Sequence, residues 1–212
     1  MSYEIRITAE ELFFLGEVLQ ADHLDYSYIA MMHDIEKNYD LISDKSFREL
    51  AGKKIIRKKL RGDISVVPEA EALLKNIFEG GRSASLEVYH QAEEVTREDY
   101  RFHFGDNGIT EVIIDNDTLI LKSCTMDEIT SLIRSKVGNT SDKGKELSYI
   151  DPDDVQTLVS VIVSDLSLGV QGTEVYEIEG ALYTSVEDER IKNLSGVEAS
   201  ALLINTMRGG SL

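Results

Sequence analysis

The chain has a single cysteine, Cys124, so no disulfide can close within it, and a reducing compartment suits it. At the end of a strand-like run, that cysteine reads as a small apolar residue rather than a reactive thiol. Proline is as scarce. Pro68 and Pro152 are the only two, and each sits where a helix is expected to begin, the one helical position that readily accepts proline. Basic residues are outnumbered, 22 against 39 acidic, for a net charge of −17 spread over both halves of the chain. Such a chain is repelled by nucleic acid and by anionic membrane, and a basic or apolar protein partner fits it better. Long apolar runs are missing too. The longest, around Val155 to Val163, is too short to cross a bilayer and stops at Asp165. The opening Met-Ser-Tyr-Glu-Ile-Arg lacks the basic-then-apolar layout of a signal peptide, so a soluble, cytoplasmic protein is expected.

Catalytic and metal-binding patterns are equally thin. His23, His33, His90 and His103 never fall at helical i, i+4 spacing with an acidic partner. His90 and His103 are placed to face each other across adjacent strands, but two histidines make a poor metal site. Asp115, Asn116 and Asp117 are contiguous rather than alternating, which fits a turn and not a calcium loop. Glu93-Glu94 and Glu98-Asp99 offer carboxylates in pairs, and solvated strand ends explain them. Gly105 and Gly108 read as hairpin glycines. No phosphate-cradling glycine loop and no nucleophile elbow is present. We expect no enzyme, no cofactor and no metal.

What the chain does have is a meander. From Leu86 to Cys124, apolar and polar residues alternate (Leu86, Val88; Phe102, Phe104; Val112, Ile114; Leu119, Leu121), as half-buried strands require. Asp106-Asn107-Gly108 and Asp115-Asn116-Asp117 supply tight turns. Thr125 and Glu128 then form a capping box that opens a helix over 125–137. Near the C-terminus the design returns. Residues 173–194 give three strand-like runs, and Ser195 with Glu198 caps a final helix.

Ahead of the meander, a first strand over 2–7 leads through a Thr8/Glu11 capping box into a helix with Leu12, Leu15, Val18 and Leu19 on one face. A break over Ala21 to Asp25 precedes a second helix over 24–39. Leu41 to Asp44 reads as a stop and new cap, and a third helix carries Phe47, Leu50 and Ala51 to a stop at Gly52. A basic run over 53–61 follows. Pro68 starts a fourth helix with Ala70, Leu73, Leu74, Ile77 and Phe78 inward. Residues 138–148 read as a linker, and Arg208 to Leu212 as a frayed tail.

The front ends also match, Ile7-Thr-Ala-Glu-Glu-Leu12 against Ile150-Asp-Pro-Asp-Asp-Val155, so the expectation is an internal duplication. The expected fold is therefore α+β: a central twisted antiparallel sheet, flanking helices, and a pseudo-two-fold duplication with a shortened second half. The expected domain is single, over residues 1–212. Its first half, 1–137, holds a helical cluster over 8–80, the meander over 86–124 and the capped helix. Its second half is 149–212.

Ile7 to Leu12, the segment Leu50-Ala-Gly-Lys-Lys-Ile-Ile56, the segment Val67-Pro-Glu-Ala-Glu-Ala-Leu-Leu74 and the meander ending in a capped helix together resemble EspG-type proteins, cytosolic chaperones of ESX (type VII) secretion systems. The resemblance covers most of residues 5–137 and returns more faintly over 150–207. It implies a pseudo-two-fold sheet protein that binds a helical secretion substrate and keeps it soluble. It also implies that the strand connection over Glu93, Glu94, Val95, Thr96 and Arg97 reaches the client. One departure stands out: the segment after Val155 is too short to hold the family's second helical subdomain, which contributes to client binding.

Two other classes stay open. An acidic immunity-type inhibitor would cap a basic toxin or nuclease. A winged-helix DNA-binding regulator would use the basic run over 53–61, although the total charge and the lack of interleaved aromatics speak against nucleic acid.

Overall fold

The computed structural model describes residues 3–21, 24–32, 35–59, 62–91, 95–138, 144–186 and 190–209. The protein is α+β, and the described residues form a nine-stranded antiparallel sheet and six helices. In chain order the elements are β1 (Glu4–Thr8), α1 (Ala9–Leu19), α2 (Tyr26–Ile29), α3 (Ile35–Gly52), β2 (Ile56–Lys58), β3 (Ile64–Val66), α4 (Pro68–Phe78), β4 (Arg82–Gln91), β5 (Val95–Gly105), β6 (Gly108–Asp115) and β7 (Thr118–Cys124). There follow α5 (Met126–Val137), a 3-10 turn (Pro152–Asp154), β8 (Thr157–Asp165), β9 (Gly169–Ile178), β10 (Ala181–Val186), β11 (Arg190–Leu194) and α6 (Gly196–Met207). Strands of the large sheet are bonded in the order β1-β7-β6-β5-β4-β8-β9-β10-β11, and β2 with β3 forms a separate hairpin. The chain divides into two compact units: residues 1–81 with 102–124, and residues 82–101 with 125–212. The division falls inside β5 and so differs from the halves expected from the duplication.

In the first unit, the Thr8 hydroxyl accepts the Glu11 amide and the Glu11 carboxylate accepts the Thr8 amide, the reciprocal cap that starts α1. Lys53 Nζ donates to both oxygens of that nearly inaccessible carboxylate, at 2.6 and 2.7 Å. So the first residue of the basic run, itself exposed, is spent on an ion pair with a buried carboxylate, while Lys54, Arg57, Lys58 and Lys59 are exposed on and beside the β2–β3 hairpin. The core joins Ile5 and Ile7 of β1, Leu12 and Leu15 of α1, Leu50 of α3, Leu73, Leu74, Ile77 and Phe78 of α4, and Val112, Leu119 and Leu121 of β6 and β7.

Three expectations change here. Helices over 24–39 and from Asp44 are replaced by the single turn α2 and the 18-residue α3, which runs through Leu41 to Asp44. The covered stripe Ile42, Ser43, Ser46, Phe47, Leu50 keeps helical spacing across the expected stop, and this continuous packing outweighs the local cap signal. Gly105 is not merely a hairpin glycine, since a Cβ there would stand 2.5 Å from Asn76 Oδ1. His103 is buried, and its Nε2 lies 2.7 Å from the Tyr28 hydroxyl.

In the second unit, one face of β4, β8 and β9 buries Leu86, Val88, Val159, Val161, Val163 and Val175. Helix α6 packs on β8, β9, β10 and β11, and α5 lies against α6. The Thr173 and Thr206 hydroxyls bond at 2.7 Å, and the Arg82 guanidinium donates to the Met207 carbonyl, tying the start of β4 to the end of α6. Both capping boxes, Thr125/Glu128 and Ser195/Glu198, are formed.

Four strands followed by a capped helix thus occur twice in the element order. The matched front ends do not behave alike, however. Thr8 opens an eleven-residue helix, whereas Asp151 and Pro152 open only a 3-10 turn before β8. The run Thr157 to Val163 is rich in β-branched residues, which favour a pleated strand over a helix. The expected linker is also corrected where it is described. Residues 144–155 form a strap whose Leu147, Ile150 and Val155 pack on Ile178, Ala181, Tyr183 and Ile191. Gly144 lies so close that a Cβ would stand 1.9 Å from the Tyr183 hydroxyl, and that hydroxyl donates to the Lys145 carbonyl at 3.2 Å. In the expected tail, Arg208 caps α6, and residues 210–212 lie outside the described residues.

Candidate functional site

Along the C-terminal part of the strap, within the second unit, a groove of about 390 Å³ opens. Tyr89, His90, Val95, Ile150, Pro152, Val155, Leu158 and Tyr176 line it, with Gln91 and Gln156 as its amides. Strand register explains its floor. Tyr89 pairs with Leu158 and Leu158 with Tyr176, so two tyrosines flank a leucine across three neighbouring strands. One step along, Glu87 pairs with Ser160 and Ser160 with Glu174. Side chains alternate across a sheet, so both rows lie on the face opposite the buried valines. The acidic strap residues Asp151, Asp153 and Asp154 border the groove at Pro152 and Val155.

The residues expected to reach a client divide. Glu93 and Glu94 lie outside the described residues. Val95, Thr96 and Arg97 belong to the start of β5 rather than to a loop, and all three are exposed. Only Val95, 72% exposed, lines the groove. Arg97 is engaged within the chain. Its guanidinium is 3.1 Å from Glu87 and 3.6 Å from Asp99, and it sits 5.3 Å from the centre of the Tyr89 ring.

Of the carboxylates read as solvated, Glu98 and Asp99 are held instead. Asp99 also meets Arg101 at 3.3 Å. Glu98 accepts Lys136 Nζ at 2.5 Å and the Tyr100 hydroxyl, and these two partners hold its carboxyl below the ordinary range. His90 and His103 are occupied separately: His90 Nδ1 is 3.3 Å from the Thr157 hydroxyl and its Nε2 3.8 Å from Glu98, while His103 is bound to Tyr28. Cys124 is half-buried at the end of β7. Among the described residues no three His, Cys, Asp or Glu side chains converge to hold a metal, and no helix is long and apolar enough to cross a membrane.

The groove's tyrosines were missed in the sequence, although a signal for them exists. Glu87-Val88-Tyr89 and Glu174-Val175-Tyr176 are the same tripeptide, and each buries its valine while turning Glu and Tyr to the other face. In each the tyrosine hydroxyl donates to the glutamate two residues earlier. Burial first, and then Glu174, pushes the Tyr176 hydroxyl above its ordinary range. No protein-family model matches the chain, and no curated protein matches it by sequence.

Proposed function

We propose that the protein is a non-enzymatic binding protein that holds a helical segment of a client protein in this groove, in the cytoplasm. The observation that carries the reading is the apolar lining of the groove. Leu158, Val95, Ile150, Pro152 and Val155 offer an aliphatic surface open to solvent beside a bank of carboxylates. An amphipathic helix presents one apolar side chain per turn, which a groove of this size accepts, and anchors of that kind dominate binding energy. The resemblance to EspG-type secretion chaperones supports a small helical secretion substrate as the client.

The test is titration calorimetry of small helical secretion substrates against the wild type and Val95→Asp. Val95 is largely exposed, so the change leaves folding intact while setting a charge in the groove. Binding to the wild type with at least tenfold weakening in the variant is expected, since unpaired desolvation of a carboxylate costs more than ~1.4 kcal/mol. Equal affinity for both proteins would sink the assignment. Replacing Val95 to Arg97 together would be a poorer test, because Arg97 neutralises Glu87 and Asp99.

A second reading is favoured by the acidic strap residues Asp151, Asp153 and Asp154. They would meet a basic protein surface, as in an inhibitor of a basic toxin.

A further inference from the structure

The second unit contains three Glu-x-Tyr units in which the tyrosine hydroxyl donates to the glutamate two residues before it: Glu87/Tyr89, Glu98/Tyr100 and Glu174/Tyr176. Two of them hold a cation in the same way. Arg97 is bonded to Glu87 and stacked over the Tyr89 ring. Lys136 is bonded to Glu98 and stands 5.5 Å from the centre of the Tyr100 ring. In each, one positive charge satisfies both the carboxylate and the electron-rich face of the ring that the carboxylate orients. The third unit has the same tripeptide as the first and runs in the same direction, two strands away across β8. Among the described residues no cation meets Glu174, which is exposed, and Tyr176 lines the groove.

We infer that Glu174 and Tyr176 form a binding site for a basic side chain, an arginine of the client protein, adjoining the apolar groove. The inference rests on the proposed client-binding groove and specifies what the client must present: an arginine beside an apolar residue. Two strand spacings, roughly 10 Å, separate the Tyr89 and Tyr176 positions, so the resident Arg97 leaves room for a second guanidinium. Arginine suits the position better than lysine. Its planar group stacks on a ring and forks to a carboxylate, and it sheds water more readily at a half-open site.

The probe is N-acetyl-leucyl-arginine amide, compared with the citrulline dipeptide, which keeps the shape of arginine without its charge. Each is titrated into the isotopically labelled full chain and followed by backbone amide shifts. The arginine probe is expected to shift the amides of Leu158 and of 174–176, and Glu174→Gln should weaken its binding roughly two- to fivefold. Tyr176→Leu, which keeps the carboxylate and removes the ring, should weaken it as well. Glu179→Gln, whose carboxylate meets Lys145, should not. The citrulline probe should bind the wild type no better than the arginine probe binds Glu174→Gln. Equal binding of both probes, or of the arginine probe to wild type and Glu174→Gln, overturns the cation site. If the amides of Val95 and Val155 still respond in that case, the groove reading survives alone. If no amide responds to either probe, both fall. Shifts at 174–176 with none at Val95 or Val155 support the cation site and remove the groove.

Discussion

Glu98 shows how much a single side chain can hold in place. It joins Lys136 of α5 and Tyr100 of its own strand, and these partners stabilise its charged form in the folded protein more than water does in the unfolded chain. Its carboxyl is therefore lowered on folding. The stabilisation is complete above the ordinary carboxylate value of 4.5 and is lost as the pH falls through the lower folded value. Glu98→Gln should remove that component. Melting temperatures recorded from pH 6 downward should fall less steeply in the variant than in the wild type, and parallel curves would show that the pair contributes nothing. At this scale the sequence is a poor guide. Glu98 and Asp99 look like solvated strand ends, because the lysine that binds Glu98 is 38 residues away and belongs to another element. The repeated Glu-Val-Tyr can be seen in the sequence, but the cation that the first copy holds cannot.

At the scale of elements, what is legible is what is local. All three capping boxes were readable because their partners lie three residues apart, and the hairpin turns were readable because Asn and Gly occupy them. Elements defined by distant contacts were not. The path of α3 through Leu41 to Asp44 depends on the stripe it buries, and the strap depends on Tyr183 and Ala181, which lie well further along the chain in β10. Of the groove, Val95 was within the expected contact segment, whereas Leu158 and Tyr176 arrive only through strand register. In the two capped helices, Ile133 and Leu203 are fully buried, and Leu132 and Leu202 half-buried. Ile133→Ala and Leu203→Ala should each cost about 2–5 kcal/mol, and the same change at Leu132 or Leu202 clearly less. Denaturant midpoints check this, with unchanged slopes marking a true loss of stability. Gly144→Ala should lift the strap from β10, since its methyl group would displace the Tyr183 hydroxyl. Faster tryptic cleavage after Lys145 would report it, and an unchanged rate would show that the strap is not held at this point.

At the scale of the whole molecule, the net charge of −17 acts on any partner before contact. A basic partner should associate faster at low ionic strength, and the rate should fall several-fold as the Debye length shrinks from ~30 Å at 0.01 M to ~8 Å at 0.15 M. Stopped-flow association rates measure this directly. A partner held mainly by apolar contact in the groove should show a shallower dependence, which separates the chaperone reading from the inhibitor reading. The charge is also placed to a second end. The large sheet finishes at β1 on one side and β11 on the other. Each of these outer strands alternates covered apolar residues with exposed ionic ones: Glu4 and Arg6 on the first, Arg190 and Lys192 on the last. A foreign strand adding to either border would have to desolvate those ionic groups, and at β11 it would also meet the Asn193 side chain, already bonded to Leu182 and Gly144. The borders therefore act as gatekeepers against edge-to-edge polymerisation, so copies of a chain with an apolar groove are kept from pairing through the borders of their sheets.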